Sequence, residues 1–478
     1  MRTSTSQRAL IVFLITISAI GFALRVNESL RIFSLAHPDE VFQTLEPAHR
    51  VAYGYGVITW EWRDGIRSWL FPVFLAGMMK CTDRMAKGST GYLVSIRILL
   101  SALSMTTIWF GFVWSRRTSG AAAAIVGATA CATWYELVGF APRAMPEVVA
   151  THLLLVGLYL GVCLKTSSEQ RRLFLAGILC GIAMSLRIQL GPVVVFSGLY
   201  FCRGRWKERL PTVMGGILLS VCVFGITDAV TWHHPFQSMY LYFWENEMGG
   251  KSLLYGSEPW YWYIGELTDH LGPLIILALV GVRRSPFLGW IALIILGSHS
   301  FIAHKEIRFI YPALPIIIVL SSIGLCEIVE GIGAHLEVRW ISKGCVPVGV
   351  LVFMLTSVLL SFRFPYWSAA SGGMMMFNKL SQSSTACGVG LYSVPWTETG
   401  GYTYLHRPIP ITFVEEAEIF SKEAPTFNAL VAGEGVFIPG GEFVLEECRM
   451  NVRLYRRPGP CAPPEENEMN NVLRQTGN

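Results

Sequence analysis

Eleven apolar segments follow one another along the first 362 residues, and this succession constrains the fold more than any other feature of the chain. A helix that crosses the hydrocarbon core of a bilayer needs about 20 apolar residues, and most of the segments approach or exceed that length. Charged residues make up only 15% of the chain, whereas about 25% is usual in soluble proteins. The sequence therefore predicts a mainly α-helical, polytopic membrane protein. The segments are 9–24, 91–114, 120–138, 148–164, 173–186, 190–202, 211–232, 271–283, 287–302, 309–326 and 345–362.

The positions of Lys and Arg in short loops indicate how the segments thread through the membrane, because cytoplasmic loops are enriched in these residues. Basic pairs such as Arg116-Arg117 and Arg283-Arg284 give a consistent alternation with a cytoplasmic amino terminus. The expected number of membrane-spanning helices is about 11, within a range of about 9 to 13. In this arrangement the stretch Trp69–Cys81 lies on the outer membrane surface and does not cross it. The spacing of Gly177 and Gly181 predicts close packing between two helices.

Two domains are expected from the change in composition after the last apolar segment. Residues 1–362 form the membrane domain, and within it residues 25–90 form an unusually long outer loop that holds interfacial helices. Residues 363–478 are more polar and rich in turn signals such as Gly400-Gly401. They predict a small α/β or β-rich domain on the outer side of the membrane.

Three features of this carboxy-terminal domain give local predictions. The run Thr403–Thr412 has the alternating character typical of a strand. Cys448 and Cys461 lie in polar sequence, where a disulfide in an oxidising compartment and a pair of free thiols are both open. Residues 458–478 are expected to form a loose tail.

Ionisable and aromatic residues collect on the predicted outer side of the chain. Charged groups near membrane depth are costly, and they therefore indicate function by default. Structural roles are the alternative: an arginine can lock a helix bundle, a carboxylate can cap a helix, and tryptophans can form an interfacial belt. The residues are Asp39, Glu40, Gln43, Glu46, His49, Trp60, Glu61, Trp62 and Arg67 in the long loop, and Arg143, Arg187, Trp260, Trp262, His304, Lys305, Glu306 and Arg308 farther along.

This set of residues fits the transfer of a sugar from a lipid-linked phosphate to a hydroxyl group. The leaving phosphate is already a stable anion, so the reaction needs one carboxylate to take the proton of the acceptor and cations to hold the phosphate. Aromatic and carboxylate side chains would bind the sugars. A glycoside hydrolase, which needs two carboxylates beside one bond, stays open on sequence grounds.

Other classes have less support in the sequence. The motifs of P-loop ATPases, zinc proteases and serine hydrolases are missing from it. The net charge of +5 is not gathered into a basic run, so nucleic acid is not an expected partner. The histidines lack the spacing of metal ligands, and we expect neither a metal nor another cofactor. A transporter or lipid flippase is the main alternative outside glycosyl transfer.

Three stretches carry a resemblance to a known family. The first runs from Pro38-Asp39-Glu40 to Thr59-Trp60-Glu61-Trp62 and Ile66-Arg67-Ser68. The second is Tyr255-Gly256 with Pro259-Trp260 and Trp262-Tyr263, and the third is His304-Lys305-Glu306-Ile307-Arg308-Phe309. In order and form they resemble the polytopic GT-C mannosyltransferases that use dolichyl-phosphate-mannose, and most of all the branch that adds the third mannose of the GPI anchor. The resemblance covers residues 9–325.

The resemblance implies an inverting transfer of mannose from a polyprenyl-phosphate donor to a hydroxyl of a glycan or glycolipid. In GT-C enzymes the base is an acidic residue of the first outer loop, which corresponds here to Asp39, with Glu40 as the competing assignment. The family's His-Lys-Glu-x-Arg-Phe motif matches His304 to Phe309, and we place its cations, with Arg187 and Arg143, at the donor phosphate. The remaining substrate-binding assignments are Gln43, Glu46, His49, Trp60, Glu61, Trp62, Arg67, Trp260, Trp262 and Glu306.

The source of the chain decides its expected membrane and partners. In a eukaryote the resemblance implies the endoplasmic reticulum membrane, and in a bacterium the inner membrane with a periplasmic active site. The partners would be a polyprenyl-phosphate-linked sugar, a glycan or glycolipid acceptor, and membrane lipid. GT-C relatives transfer other sugars as well, so arabinose, glucose or a modified sugar are alternatives to mannose.

Overall fold

The computed structural model describes residues 5–85, 88–162, 168–337, 344–365, 370–414, 417–439, 441–463 and 467–476. The chain divides into two compact units. The helical unit comprises Met1–Glu28 and Ile98–Pro365, and the α/β unit comprises Ser29–Arg97 and Tyr366–Asn478. The long loop after the first helix therefore belongs to the same compact unit as the carboxy-terminal residues. The proposed domain boundary at residue 362 does not separate these two stretches.

Helices form where the apolar segments predict them. The long helix Ser89–Thr133 is interrupted at Gly120, where φ is +84°. The longer helices in this part of the chain are Thr5–Ser29, Ser89–Thr133, Pro146–Val162, Glu169–Leu186, Gly191–Cys202, Trp206–Trp232, Trp262–Leu271, Pro286–Ser300, Leu314–His335 and Cys345–Arg363. Shorter helices are Tyr135–Gly139, Ile188–Leu190, Gln237–Phe243, Trp244–Met248, Lys251–Tyr255, Leu274–Gly281 and Ile307–Ala313.

Several of these helices meet the length and composition needed to cross a bilayer. Within the described ranges five do so, and a sixth span results if the bent pair Trp262–Leu271 and Leu274–Gly281, with an angle of 105° between its parts, is taken as one. Three shorter apolar helices, Pro146–Val162, Ile188–Cys202 and Pro286–Ser300, accompany them. The mainly α, membrane-spanning fold class is confirmed, and the number of about 11 spans stays a prediction.

Close packing through small residues occurs where the glycine spacing predicts it. A Cβ on Gly177 would lie 2.4 Å from the carbonyl oxygen of Val213, and a Cβ on Gly216 would lie 2.3 Å from that of Phe174. Helices Glu169–Leu186 and Trp206–Trp232 can therefore approach this closely only without side chains at these positions. Backbone contact of this kind provides van der Waals attraction between membrane helices, where the hydrophobic effect contributes little.

The α/β unit contains a five-stranded mixed sheet. The strands are β1 Val389–Tyr392, β2 Ile411–Val414, β3 Ala429–Gly433, β4 Val444–Arg449 and β5 Val452–Arg456. Their order in the sheet is β2-β1-β3-β5-β4. The first two pairings are parallel, and β5 runs antiparallel to β3 and β4. Strands β1 and β3 are nearly continuous apolar runs, as is typical of strands that are buried on both faces. The helices are Glu40–Leu45, Glu46–Tyr53, Trp60–Arg63, Leu70–Asp83, Gly372–Ser381, Trp396–Glu398, Gly401–Leu405, Ala417–Glu423, Ala424–Thr426 and Met469–Gln475.

Two local predictions for this unit are wrong. The run Thr403–Thr412 is not one strand, because Gly401–Leu405 forms a helical turn and only Ile411–Val414 is extended. Residues after 458 are not a loose tail: the described part includes the helix Met469–Gln475, whose Met469 and Leu473 side chains are buried. Burial of these two side chains fixes the segment against the unit.

The disulfide also differs from the sequence prediction. Cys461 is bonded to Cys387, and Cys448 is an exposed free thiol. A pairing of Cys448 with Cys461 was suggested by their polar surroundings alone. Sequence distance gave no guide to the actual partner, which lies 74 residues away.

Candidate active site

An amide and two carboxylates form a short hydrogen-bonded network in the α/β unit. Gln43 donates from Nε2 to Asp39 Oδ2 at 2.5 Å and to Glu61 Oε1 at 3.2 Å. Arg67 donates to the same Glu61 oxygen at 2.6 Å. The structure therefore brings four of the sequence-predicted residues together, with the arginine neutralising Glu61 and the amide orienting Asp39.

Asp39 and Glu40 differ in their access to solvent. The Asp39 side chain is 25% exposed, and the ring of His37 lies 3.4 Å from its Oδ1. Glu40 is only 3% exposed, because it points into the unit from the first turn of the helix Glu40–Leu45. A general base must reach the proton it abstracts. Exposure therefore favours Asp39 over Glu40 for this role.

Glu46 makes an internal connection within the α/β unit. Its Oε1 accepts hydrogen bonds from the backbone N–H groups of Val57 and Tyr402, at 2.8 and 2.9 Å. Its Oε2 accepts from the N–H and the hydroxyl of Thr403, at 2.8 and 2.6 Å. The carboxylate is fully buried. Burial raises its pKa, although the four donors oppose that shift. Glu46 thus has a structural role and no free surface for substrate.

A glycine makes the Glu46 contact possible. Gly401 has φ of +58°, in the left-handed region that favours glycine, and it directs the following two N–H groups toward Glu46. A Cβ at this position would lie 2.8 Å from Glu46 Oε1. The sequence marks the position as a turn, and it gives no sign that the turn binds a distant carboxylate.

His49 is buried among aromatic rings in the same unit. Its Nδ1 lies 3.1 Å from the carbonyl oxygen of Tyr55, so this nitrogen carries the proton and donates. Its Nε2 is then the acceptor from Nδ1 of His406, at 3.0 Å. Burial lowers the pKa of His49 to about 3, and it also lowers the pKa of His406. Both rings are therefore neutral near pH 7, and His49 has a structural role.

The tryptophans predicted to bind sugars fall into two groups. Trp62 is buried and its ring packs against that of Trp69, with 4.3 Å between centroids. Trp60 and Trp262 are partly exposed. Trp260 is 68% exposed in the helical unit, so its ring is available for contact with lipid or ligand.

Two arginines converge on one buried carboxylate in the helical unit. Glu147, in the first turn of the helix Pro146–Val162, lies 3.2 Å from Nη1 of Arg308 and 3.9 Å from Nη1 of Arg187. Both guanidinium groups also lie over the ring of Phe309, at 5.0 and 5.1 Å. Arg187 occupies the junction between two helices, as the sequence predicts, and only 6% of it is exposed.

Arg187 and Arg308 differ in their hydrogen bonds. Arg308 donates to Glu306 from Nε at 2.5 Å and from Nη2 at 3.1 Å, in addition to its contact with Glu147. Among the residues that the structure describes, the guanidinium of Arg187 has no hydrogen-bond acceptor, and its Glu147 contact is too long to be one. The Arg187 guanidinium therefore retains donors for an anion.

His304 adds a third cation to this cluster. Its Nδ1 lies 3.2 Å from the carbonyl oxygen of Gly256 and its Nε2 lies 2.9 Å from Glu306 Oε1. Both partners are acceptors, so the protonated ring satisfies both contacts. The hydrogen bond to Glu306 raises the pKa of His304. When His304 is protonated, the three cations Arg187, Arg308 and His304 outnumber the carboxylates Glu147 and Glu306.

The other two predicted phosphate ligands have structural partners. Arg143 is fully buried and pairs with Glu28 at 3.1 Å. Lys305 donates from Nζ to the carbonyl oxygens of Glu258, at 2.9 Å, and of Ile302. These contacts fix the backbone of the loop before Ile307–Ala313.

Sequence reasoning did not assign roles to Glu147 and Glu28. Each is the acidic partner of a buried arginine, at the end of an apolar helix. The position of each carboxylate beside a hydrophobic segment could have indicated a buried ion pair, because a buried charge requires a partner. Within the described ranges, no group of three or more His, Cys, Asp or Glu side chains is placed to hold a metal ion.

A model of the Alg9-like mannosyltransferase family matches residues 16–406, which is most of the chain. The chain belongs to this family. This Alg9-like protein is thus a mannosyltransferase, a hexosyltransferase with several membrane-spanning helices. The sequence-based resemblance to GT-C mannosyltransferases is confirmed.

Curated relatives carry related names. GPI alpha-1,2-mannosyltransferase 3 from Xenopus laevis is 24% identical over 84% of this chain and 74% of its own length. GPI mannosyltransferase 3 from Yarrowia lipolytica is 26% identical over 84% of this chain and 76% of its own. The human GPI alpha-1,2-mannosyltransferase 3 is 24% identical over 82% of this chain and 70% of its own length.

A solved structure shares the fold of this Alg9-like protein. ArnT from Cupriavidus metallidurans, bound to undecaprenyl phosphate, aligns over 97% of this chain and 100% of its own with a TM-score of 0.65. Its apo state aligns with a TM-score of 0.62. The sequences are 12% identical, so the likeness concerns the GT-C fold alone.

Proposed function

We propose that the chain transfers mannose from a polyprenyl-phosphate-mannose donor to a hydroxyl group of a glycan or glycolipid acceptor, with inversion at the sugar carbon. The observation that carries this proposal is the Arg187 guanidinium, buried and without a hydrogen-bond acceptor among the described residues. Such a group is suited to an anion that arrives with the substrate. The family membership supports mannose as the sugar.

A phosphate on a lipid is the anion that best suits this position. Arg187 lies between the apolar helices Glu169–Leu186 and Ile188–Cys202, a setting that suits a lipid-linked substrate better than a free sugar nucleotide. The solved neighbour ArnT was crystallised with undecaprenyl phosphate, which supports a polyprenyl phosphate as the carrier. Glu147 and Phe309, which both guanidinium groups contact, would hold the two arginines next to each other for the phosphate oxygens.

Asp39 is assigned the role of general base. In a single displacement, the acceptor oxygen forms a bond to the anomeric carbon, the bond from that carbon to the phosphate oxygen breaks, and the hydroxyl proton passes to Asp39. The phosphate leaves as an anion that Arg187 and Arg308 stabilise, so no general acid is needed. Gln43 would keep Asp39 oriented through its hydrogen bond, and Glu61 would hold Gln43 in turn.

The names of the relatives support a GPI-type glycolipid as the acceptor, and with it the endoplasmic reticulum as the location. The partly exposed polar side chains of the Asp39 network are suited to a hydroxyl-rich acceptor. Trp60 and Trp260 remain candidates for stacking on sugar rings.

The base assignment is tested with the purified chain, radiolabelled polyprenyl-phosphate-mannose and a GPI-type glycolipid acceptor. Asp39→Asn should lower the rate of mannose transfer by about 10²- to 10⁴-fold and leave the melting temperature of the protein unchanged. Glu434→Gln makes the same chemical change at an exposed position of the same unit and should leave transfer unchanged. Full activity of Asp39→Asn together with loss in Glu40→Gln would contradict the assignment and move the role to Glu40.

The phosphate assignment is tested on the donor. Arg187→Gln should lower kcat/KM for the donor by roughly 10- to 150-fold, the value of one charge-assisted hydrogen bond. Arg205→Gln, at a half-exposed position, is the matched control. A change confined to the KM of the acceptor would contradict a role at the donor phosphate. Turnover of a different polyprenyl-phosphate sugar in place of the mannosyl donor would retain the mechanism and refute the choice of mannose.

A further inference from the structure

A polar cavity in the α/β unit has no part in the reaction proposed above. Its volume is about 640 Å³, within the range of small-molecule sites. Three cationic side chains and one carboxylate line it, together with amide and hydroxyl groups. The lining residues are Lys379, Gln382, Ser383, Thr385, Asn428, Glu446, Arg456, Arg457, Pro458 and Gly459.

The cations of this cavity are not all neutralised. Glu446 lies 3.0 Å from Nζ of Lys379 and accepts from Nε of Arg456 at 2.8 Å. Glu447, which is not among the lining residues, also pairs with Lys379, so Lys379 and Arg456 have carboxylate partners and Arg457 is the remaining cation. Within the described part of the chain, Nη1 of Arg456 is buried and has no hydrogen-bond partner. Such an atom costs free energy unless a ligand or water satisfies it.

Arg457 contributes charge that no described carboxylate offsets. Its guanidinium donates to the carbonyl oxygens of Phe427 and Pro425, at 3.0 Å each, and of Pro458 at 3.2 Å. Carbonyl groups orient the side chain and leave its net charge in place. Arg407 lies close enough to Arg456 that their repulsion helps to lower the pKa of Arg407, after the larger effect of burial.

The walls of the cavity are held in place without a ligand. Asn428 accepts from the N–H of Cys387 at 3.0 Å and donates to the carbonyl oxygen of Thr385 at 2.8 Å. The disulfide from Cys387 to Cys461 ties the segment that contains Pro458 and Gly459 to this same wall. A site that is formed in advance loses little conformational entropy on binding.

We propose that this cavity binds a phosphate ester carried on a hydroxyl-rich group. Arginine side chains recognise phosphate oxygens through paired N–H donors, and Arg456 has one such donor unused. The hydroxyl and amide groups of Ser383, Thr385 and Gln382 are suited to the polar carrier. A sugar phosphate and a phospholipid headgroup share this chemistry. The proposal does not depend on the identity of the transfer reaction.

The test uses the purified full chain and three soluble probes: mannose 6-phosphate, glycerol 3-phosphate and mannose. Calorimetry should show binding of the two phosphate esters and none of mannose. A preference for mannose 6-phosphate would assign the site to a phosphorylated sugar, and a preference for glycerol 3-phosphate would assign it to a lipid headgroup. Failure of both esters to bind at millimolar concentration would overturn the proposal.

Variants separate binding at this cavity from binding elsewhere. Arg456→Gln should weaken ester binding by about tenfold or more, and Arg456→Lys should recover part of it. Arg453→Gln removes an arginine that pairs with Glu434 outside the cavity and should bind like the wild type. Equal ester affinity in Arg456→Gln and the wild type would refute the site. Thermal melts of each variant show that the unit is folded, and Lys379→Gln replaces Arg456→Gln if the latter does not fold.

Discussion

Replacement of Glu46 should destabilise the α/β unit without any direct effect on chemistry. This carboxylate was expected to bind substrate, but it is fully buried and accepts four hydrogen bonds from Val57, Tyr402 and Thr403. Glu46→Ala leaves three backbone N–H groups and one hydroxyl without their acceptor. In the interior of the unit, water has no ready access to replace it.

The magnitude follows from the number and type of bonds lost. A hydrogen bond to a charged acceptor is worth roughly 1.5 to 3 kcal/mol, but neighbouring losses do not add fully. Removing one side of a buried charged contact usually costs about 3 to 5 kcal/mol, and we expect Glu46→Ala to fall in that range. Glu46→Gln keeps an oxygen for Val57 and Tyr402 and sets an amide N–H₂ against the N–H of Thr403. Its expected cost is about 2 kcal/mol.

The assay combines chemical denaturation of the detergent-solubilised chain with hydrogen exchange. Peptides that span residues 399–406 should lose amide protection in both variants, and more in Glu46→Ala. Glu434→Gln, which alters an exposed carboxylate of the same unit, should change neither measurement. Unchanged protection of this peptide in Glu46→Ala, with a denaturation midpoint equal to that of the control, would refute the reasoning.

Three further predictions concern stability. Burial holds the pKa of His49 in the folded chain at about 3, so between pH 6.5 and pH 5 only the unfolded chain takes up this proton. The free energy of unfolding should therefore decrease by about 2 kcal/mol as the pH is lowered to 5. His49→Phe should remove this part of the pH dependence of the melting temperature. Arg143→Gln leaves the buried Glu28 carboxylate without its cationic partner, and the free energy of unfolding should decrease by about 3 to 5 kcal/mol. In thermal melts, the double variant that also carries Glu28→Gln should recover part of this loss. Gly177→Ala places a methyl group 2.4 Å from a backbone oxygen and should lower the melting temperature, whereas Gly265→Ala, with nothing within 4 Å, should not. An equal effect of the two alanines would contradict the close packing.

The sequence alone determined the membrane class, the family and most helix positions. Long apolar segments leave few alternatives, because each must bury its backbone polar groups in a helix before it can enter lipid. The three stretches around Asp39, Tyr255 and His304 to Phe309 carry the resemblance to the GT-C mannosyltransferases, and the family match confirms it. The small-residue spacing at Gly177 likewise predicted a close helix contact, which the structure confirms.

Only the tertiary structure decided which polar residues are partners of one another. Glu46 is separated from Thr403 by 357 positions, and Arg143 from Glu28 by 115. A charged residue in a sequence looks the same whether it is free for substrate or held by a distant partner. The outcome depends on burial, because a buried charge or N–H group must be satisfied within the protein while an exposed one can use water. In sequence, Arg187 and Arg308 therefore look the same as Arg143 and Lys305. Only the folded chain distinguishes Arg187, which has donors left over, from the cations that protein groups already satisfy.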